Sequence, residues 1–358
     1  MKVSELQSAF LKLVRLGIGH HVDALSQNID WQEVKDFAER HGLYAVVLDG
    51  IEKLPATARP PQEFLLEWIG EVLQGYEYQY ELYCKAIAKL AGFYNSHGYK
   101  IMVLKGYACS LDWPKPSHRP CGDIDIWQFS KQKEADALIA REQGIEIDNS
   151  HHHHTVFNWH DFAVENHYDF INVYHHKSHA KLERIFKELA SDDTHYVELH
   201  GEKVYLPSPN LHALFLLKHT MLHFVSGEIT LRQLLDWAFF VEKLTKEIDW
   251  DWLEKTLDEY GMIPLYQLFN AICVEDLGFS TQLFPSVQFN PELKDKVLAE
   301  ILMPDQVHNG NKVLILRMIS TFRRWKDSAW KHKLCYKESM WSSFWYGVWG
   351  HLLKPASI

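Results

Sequence analysis

The apolar residues of this chain change their spacing twice, and that change limits the folds open to it. Up to about residue 98 they recur three and four positions apart. From about 99 to 206 short runs and alternating stretches take over, and from 207 to 358 the helical spacing returns. A side-chain stripe of period 3.6 and one of period 2 bury different faces, so neither segment can adopt the other's structure. The expectation is an α+β protein: a small mixed β-sheet core at 99–206, embedded in predominantly helical regions at 1–98 and 207–358. A length of 358 residues suffices for two or three domains with a sizeable core.

Local signals agree with this division. IDWQEVKDFAERHGLYAVV offers Asp30 as a helix N-cap and Gly42 as a stop, and IDWDWLEKTLDEYGMIPLY repeats the layout with Asp249 and Gly261. No third copy follows, so this is one helix design used twice rather than a solenoid. PQEFLLEWIGEVLQGYEYQYELYCKAIAKLAGFYNSHG predicts a long helical stretch closing on Gly98. In the middle segment YKIMVLKG, GDIDIWQF, TVFNWHDFAVENHYDFINVYHH and YVELHGEKVYLP read as strands. The stretches LHALFLLKHTMLHF and LRQLLDWAFF are helical again.

The charge pattern narrows the partners. A formal net charge of −10 excludes a general electrostatic trap for nucleic acid, which needs clustered phosphate-neutralising cations. RMISTFRRWKDSAWKHK, with Arg323, Arg324, Lys326, Lys331 and Lys333 beside Trp325 and Trp330, is the candidate for a local polyanion contact, with a solvated basic helix the favoured expectation. Five scattered cysteines without a CxxC pair argue against a disulfide framework and a zinc knuckle, and fit a reducing cytoplasm. The first residues read as an amphipathic helix without a signal-peptide pattern. The most apolar stretch, MWSSFWYGVWGHLL at 340–353, is too short and too rich in Ser, Gly and Trp to cross a bilayer, and reads as a packed aromatic helix, with an interfacial membrane helix as the alternative.

One strand carries the chemistry. In RPCGDIDIW strand alternation turns Asp123 and Asp125 to one face and Ile124 and Ile126 to the other. Two carboxylates held side by side repel, and a hard divalent cation such as Mg²⁺, held by carboxylates and substrate phosphates, relieves that repulsion. A polar outer face on an edge strand is the alternative for a bare DxD. Upstream, MVLKGYACSLDW is an apolar strand ending in Lys105 and Gly106 and running into a short helix. A glycine at such a turn lets the backbone approach a ligand, and the first helical amides bind phosphate. Lys105 adds a charge there. Arg119, before the Gly122 turn, is placed to reach a phosphate oxygen.

Leu104-Lys105-Gly106, then Arg119, then Gly122-Asp123-Ile124-Asp125 resembles the nucleotidyltransferase superfamily of the DNA polymerase beta type. More narrowly the chain is similar to a largely uncharacterised bacterial nucleotidyltransferase family with an LKG turn, an R…GDID strand, a V-E-x-H strand and helical flanks. The last strand corresponds here to Val164-Glu165-Asn166-His167. Gly106-Tyr107 departs from the Gly-Gly or Gly-Ser turn favoured in the wider superfamily. The resemblance implies a third carboxylate, Glu165. It also implies Mg²⁺ or Mn²⁺ held by Asp123, Asp125 and Glu165, and transfer of a nucleoside monophosphate from an NTP such as ATP to a hydroxyl on a small molecule, a protein or RNA. No GxSxG elbow or GxxxxGK[ST] loop competes with that reading. The acceptor and the oligomeric state carry no sequence signature.

Alternation in HDFAVENHYDFI sets Asp161, Glu165, His167 and Asp169 on one face, with Asp169 the second candidate for the third carboxylate. Twenty-two histidines are many, and HHHH at 151–154 is internal. Alternation there pairs His152 with His154, a spacing that could bind Zn²⁺, although substrate contact or a structural role is the favoured expectation. HTMLH, with His219 and His223, lacks the glutamate of a zinc hydrolase. Arg232 and Asp236 are spaced for a helical ion pair, and alternatively for lining a cleft beside the sheet domain. Two other readings remain beside the transferase: a metal-dependent phosphohydrolase using the histidine tract, and a non-catalytic binding protein on the same scaffold.

Overall fold

The computed structural model describes residues 3–23, 25, 28–174, 176–191, 194–285, 288–303 and 328–353. Helices α1 (Glu5–Gly17), α2 (Trp31–Arg40), α3 (Tyr44–Glu52) and α4 (Gln62–Val72) come first, and a π turn at Leu73–Tyr78 leads into α5 (Gln79–Ser96). Strand β1 (Met102–Val103), the short α6 (Tyr107–Ser110), β2 (Ile124–Trp127), α7 (Gln132–Gln143), β3 (His154–Trp159) and β4 (Phe162–His167) follow. Then come α8 (His179–Ser191), β5 (Tyr196–Leu199), β6 (Glu202–Tyr205), α9 (Pro209–Ser226), α10 (Leu231–Leu244) and α11 (Trp250–Tyr260). The last described elements are α12 (Ile263–Glu275), α13 (Pro291–Ile301), α14 (Ala329–Cys335) and α15 (Met340–Leu353). This is the α+β architecture that the two changes of period require.

Contacts group the described residues into two compact units: Met1–Ile69 with Leu216–Met340, and Gly70–Phe215 with Trp341–Ile358. The first is helical. Its twice-used helix design has a common physical start, since Asp30 accepts from the amides of Gln32 and Glu33, and Asp249 accepts from the amide of Trp252. Such caps satisfy amides that have no partner within the helix. The basic stretch at Arg323, Arg324, Trp325 and Lys326 lies outside the described residues. Lys331, on α14, is buried and pairs with Glu300, so it does not belong to a solvated face, whereas Lys333 is exposed.

The second unit holds a six-stranded mixed sheet in the order β3-β4-β2-β1-β6-β5. β2 runs parallel to β4 and β1 to β6, while β1–β2, β3–β4 and β5–β6 are antiparallel. One face presents Val103, Ile124, Ile126, Phe157, Val164 and Val204 to Tyr83, Ile87, Leu90 and Tyr94 of α5 and to Ala135, Leu138 and Ile139 of α7. Burying each large apolar side chain there contributes about 1.5–3 kcal/mol. Trp127 on the opposite face meets Phe170 at 4.6 Å between ring centres, and Phe170 stacks on Phe186 of α8 at 5.4 Å. The polar side chains of that second face are held between these apolar layers.

No helix among the described residues is long and apolar enough to cross a membrane. In α15, the tail read from sequence as an aromatic helix, Trp341, Phe344 and Trp345 are exposed.

Candidate functional site

The site starts from strand pairing. β2 and β4 lie side by side with Asp125 opposite Glu165 and Trp127 opposite His167, and β3 sets His154 opposite His167. Residues paired across neighbouring strands share a face, and so do residues two apart. Asp125, Glu165, His167 and His154 therefore project together from the face opposite the main apolar core. Asp123 directly precedes β2 and is exposed, whereas Asp125 is only 5% exposed.

Asp125 is the centre of a buried charge cluster. Its Oδ1 lies 2.7 Å from Lys105 Nζ and 3.1 Å from His167 Nε2, and His167 Nε2 is 3.6 Å from Glu165 Oε2. His167 Nδ1 donates to the carbonyl of Asp169 at 3.2 Å, so Nε2 is the nitrogen turned toward the carboxylates. One donor atom each from Asp125, Glu165 and His167 fits within 4.8 Å, a set able to hold a cation.

The charges explain the titration of each group. Burial opposes the charge on Asp125, but Lys105 and His167 outweigh it and hold the carboxyl well below the usual range. Burial likewise opposes the cation on Lys105, and Asp125, Glu165 and Asp123 raise its pKa nonetheless. In His167 the desolvation cost is overcome by hydrogen bonds to Asp125 and Glu165, favouring the imidazolium. Glu165 is lowered, burial being outweighed chiefly by His167. Asp123 moves the other way: partial desolvation and the charges of Glu165 and Asp125 push its carboxyl up. His154 is pushed down to about 4 by burial and by the positive charge of His167.

The turn after β1 is built around a glycine. Gly106 has φ +52° and ψ −100°, a region that residues with a Cβ avoid. A Cβ there would stand 2.2 Å from Tyr83 Oη, and that hydroxyl donates to the carbonyl of Asp123 at 2.8 Å. The amide of Leu104 donates to the carbonyl of Asp125 at 3.0 Å, so the LKG turn and the aspartate strand are joined on both sides. Gly122 differs, for a Cβ there meets nothing within 4 Å, and the packing of this chain makes no demand for glycine at that position. Arg119 is 6% exposed, and its guanidinium donates to the carbonyl of Pro120 at 3.2 Å and to Cys121 Sγ at 3.6 Å.

Other residues singled out from sequence fall elsewhere. β4 ends at His167, so alternation does not extend to Asp169, which pairs with Lys187. β3 begins at His154 and the chain bends at 151–153, so alternation does not reach His152 either. The His152 ring lies 5.3 Å from Tyr174, and His153 joins His154 and His167 instead. His219 and His223 hydrogen-bond to each other through their Nε2 atoms at 3.0 Å. Arg232 and Asp236 stand on α10 in the helical unit, whereas the aspartate pair belongs to the sheet unit.

Two features had no reading from sequence. Tyr83 is one, since nothing local in α5 marks it as the support for the Asp123 carbonyl. The other is a buried polar network behind the carboxylates. Asp136 accepts from Thr155 at 2.8 Å, from Asn166 at 2.7 Å and from Gln132, while Asn166 also donates to Gln128 at 2.7 Å. In alternation Thr155 falls on the stripe of Phe157 and Trp159, and Asn166 on that of Phe162 and Val164, and a polar residue on each apolar stripe was the available signal.

The model of a family described as uncharacterised nucleotidyltransferase matches residues 27–278, well over half of the chain. Among solved structures, an antigenic nucleotidyltransferase-like protein from Paracoccidioides brasiliensis is similar at 15% identity. That match covers 44% of this chain and 75% of the other, with a TM-score of 0.32. No curated protein matches.

Proposed function

Because the chain belongs to this uncharacterised nucleotidyltransferase family, we propose that it moves a nucleoside monophosphate from an NTP to a hydroxyl-bearing acceptor in a Mg²⁺- or Mn²⁺-dependent reaction. The observation that carries this reading is the in-register pairing of Asp125 with Glu165, beside Asp123 and next to the Lys105-Gly106 turn. The donors fit a divalent ion. Partial desolvation, and after it the charges of Glu165 and Asp125, raise the pKa of Asp123, and Lys105 Nζ on Asp125 stands where positive charge is needed.

Asp123, Asp125 and Glu165 are the ligands in this reading, and the bound ion would neutralise triphosphate charge and ease deprotonation of the acceptor hydroxyl. The protein's own residues do the positioning. Lys105, Gly106, Arg119 and Gly122 form the phosphate-facing set, with open space beside Gly122. His167 orients Asp125 through Nε2, and the Asp169 carbonyl fixes its ring. Since phosphoryl-type transfer depends mainly on positioning and charge neutralisation, no side-chain nucleophile is required. The acceptor belongs to the small-molecule, protein or RNA class, and the cytoplasm is the proposed compartment.

The test is incubation of purified protein with each α-labelled NTP, Mg²⁺ or Mn²⁺, and cell lysate, following the label into an acceptor. Transfer by wild type and none by Asp123→Asn or Asp125→Asn supports the reading. Transfer retained in the double variant refutes it. The histidines around His167 favour one second reading, hydrolysis, in which water replaces the acceptor and the NTP yields nucleoside monophosphate and pyrophosphate without lysate.

A further inference from the structure

We propose that His153, His154 and His167 form a second cation site, selective for a nitrogen-preferring ion of the zinc class, that adjoins the position among the carboxylates and shares His167 with it. Donor nitrogens of the three residues lie within 4.8 Å of one another. The ring centres are 4.4 Å apart for His153–His154, 5.2 Å for His154–His167 and 5.5 Å for His153–His167. Three imidazoles bound tetrahedrally to one zinc at a metal–nitrogen distance of about 2 Å place their ring centres roughly 5 Å apart. The spacing of the side chains therefore already approximates a three-histidine site.

A second observation points to a ligand. His154 is 7% exposed, and its Nδ1 is buried without a hydrogen-bond partner among the described residues. A buried imidazole nitrogen left in that state is costly unless something binds it. The nearest acidic oxygen, Glu165 Oε2, lies 3.9 Å from His154 Nδ1 and 3.6 Å from His167 Nε2. It is placed to complete a four-coordinate set.

The backbone holds the tract in this arrangement. The His153 carbonyl accepts from the amides of Tyr168 at 3.0 Å and Asp169 at 3.1 Å, and Tyr168 Oη donates to the His151 carbonyl at 2.9 Å. His151 stacks on His154 at 4.6 Å between ring centres. The bend that turns His152 away is the bend that brings His153 in. Imidazole donors favour zinc and its neighbours over Mg²⁺, which prefers oxygen. The site shares His167 and Glu165 with the carboxylate position, but it is inferred from the histidine geometry and not from the transfer reading.

The test uses full-length protein made without an affinity tag, stripped with chelator, then titrated with Co²⁺ and with Zn²⁺ in excess Mg²⁺. Expected are the intense visible absorption bands of four-coordinate Co²⁺, abolished by one equivalent of Zn²⁺. Removing a ligand outranks the 10–100-fold losses typical of second-shell changes, so His153→Ala/His154→Ala should lose more than about 100-fold in Zn²⁺ affinity. Asp123→Asn should retain it. If the double variant fails to fold, His153→Asn, altered in the bend ahead of β3, must show the same loss of bands. Weak octahedral-type absorption, unchanged zinc affinity in the histidine variants, or loss of zinc only in Asp123→Asn would each overturn the assignment.

Discussion

Replacing either aspartate by asparagine should abolish transfer, yet the two changes should move stability differently. Asp125 is buried and accepts from Lys105 at 2.7 Å and from His167 at 3.1 Å. Removing one partner of such a buried group leaves uncompensated charge, at a cost of about 3–5 kcal/mol. The asparagine oxygen still accepts from Lys105, and Glu165 and Asp123 still act on that ammonium, so the lower end, about 3 kcal/mol, is expected. With about 2–4 °C per kcal/mol for a unit of this size, the melting temperature of Asp125→Asn should fall by roughly 6–12 °C. Asp123 is exposed, and its carboxyl is pushed up by desolvation and by Glu165 and Asp125. Asparagine there relieves repulsion and leaves stability within about 0.5 kcal/mol of wild type, on the stabilising side. Thermal melting followed by near-ultraviolet circular dichroism, run beside the labelled-NTP assay, separates the two. Equal melting shifts for both variants, or a wild-type melting point for Asp125→Asn, would show the charge cluster to be misread.

Three other outcomes are expected. Glu183 accepts from the amides of Phe170 and Ile171 at 3.0 and 3.1 Å, and burial pushes its carboxyl up to about 7. The native state then binds the extra proton between the unfolded pKa and about 7, so stability falls as pH rises through that window. Glu183→Gln should flatten this part of the melting-temperature profile between acid and neutral pH. Gly106→Ala should lose transfer and lower the melting temperature, because its Cβ meets Tyr83 Oη at 2.2 Å, and adding Tyr83→Phe should recover part of the melting temperature. Asp136→Ala strips the acceptor from Thr155, Asn166 and Gln132, and urea denaturation should register a loss of at least about 1–3 kcal/mol.

The sheet was legible because its strands break the helical period, and Asp125 facing away from Ile124 and Ile126 follows from alternation alone. Less legible was what lies across strands. Lys105 reads as a phosphate contact in its own segment, and only the antiparallel pairing of Met102 with Trp127 and Val103 with Ile126 reveals it as the counterion of Asp125. Alternation also misleads where a strand stops: β4 ends at His167 and β3 begins at His154, so the pattern ran on to Asp169 and His152 without structural basis. Glu165 came from the resemblance, and its register with Asp125 has a purely geometric origin in the β2–β4 pairing.

That register also bears on the order of binding. Like charges directly opposite each other on neighbouring strands destabilise a sheet, and here Asp125 and Glu165 are such a pair with Asp123 close by. Lys105 Nζ and His167 Nε2 both face Asp125, so part of the carboxylates' charge is already offset within the cluster, which keeps less negative charge than three free carboxylates would carry. The charge is enough to attract a divalent cation and too small to neutralise one. In the proposed reaction a polyanionic triphosphate would supply the missing negative charge, and by linkage each ligand would then raise the affinity for the other. An acidic site that carries its own lysine and histidine counterions is thus suited to taking up cation and nucleotide together rather than storing the cation alone.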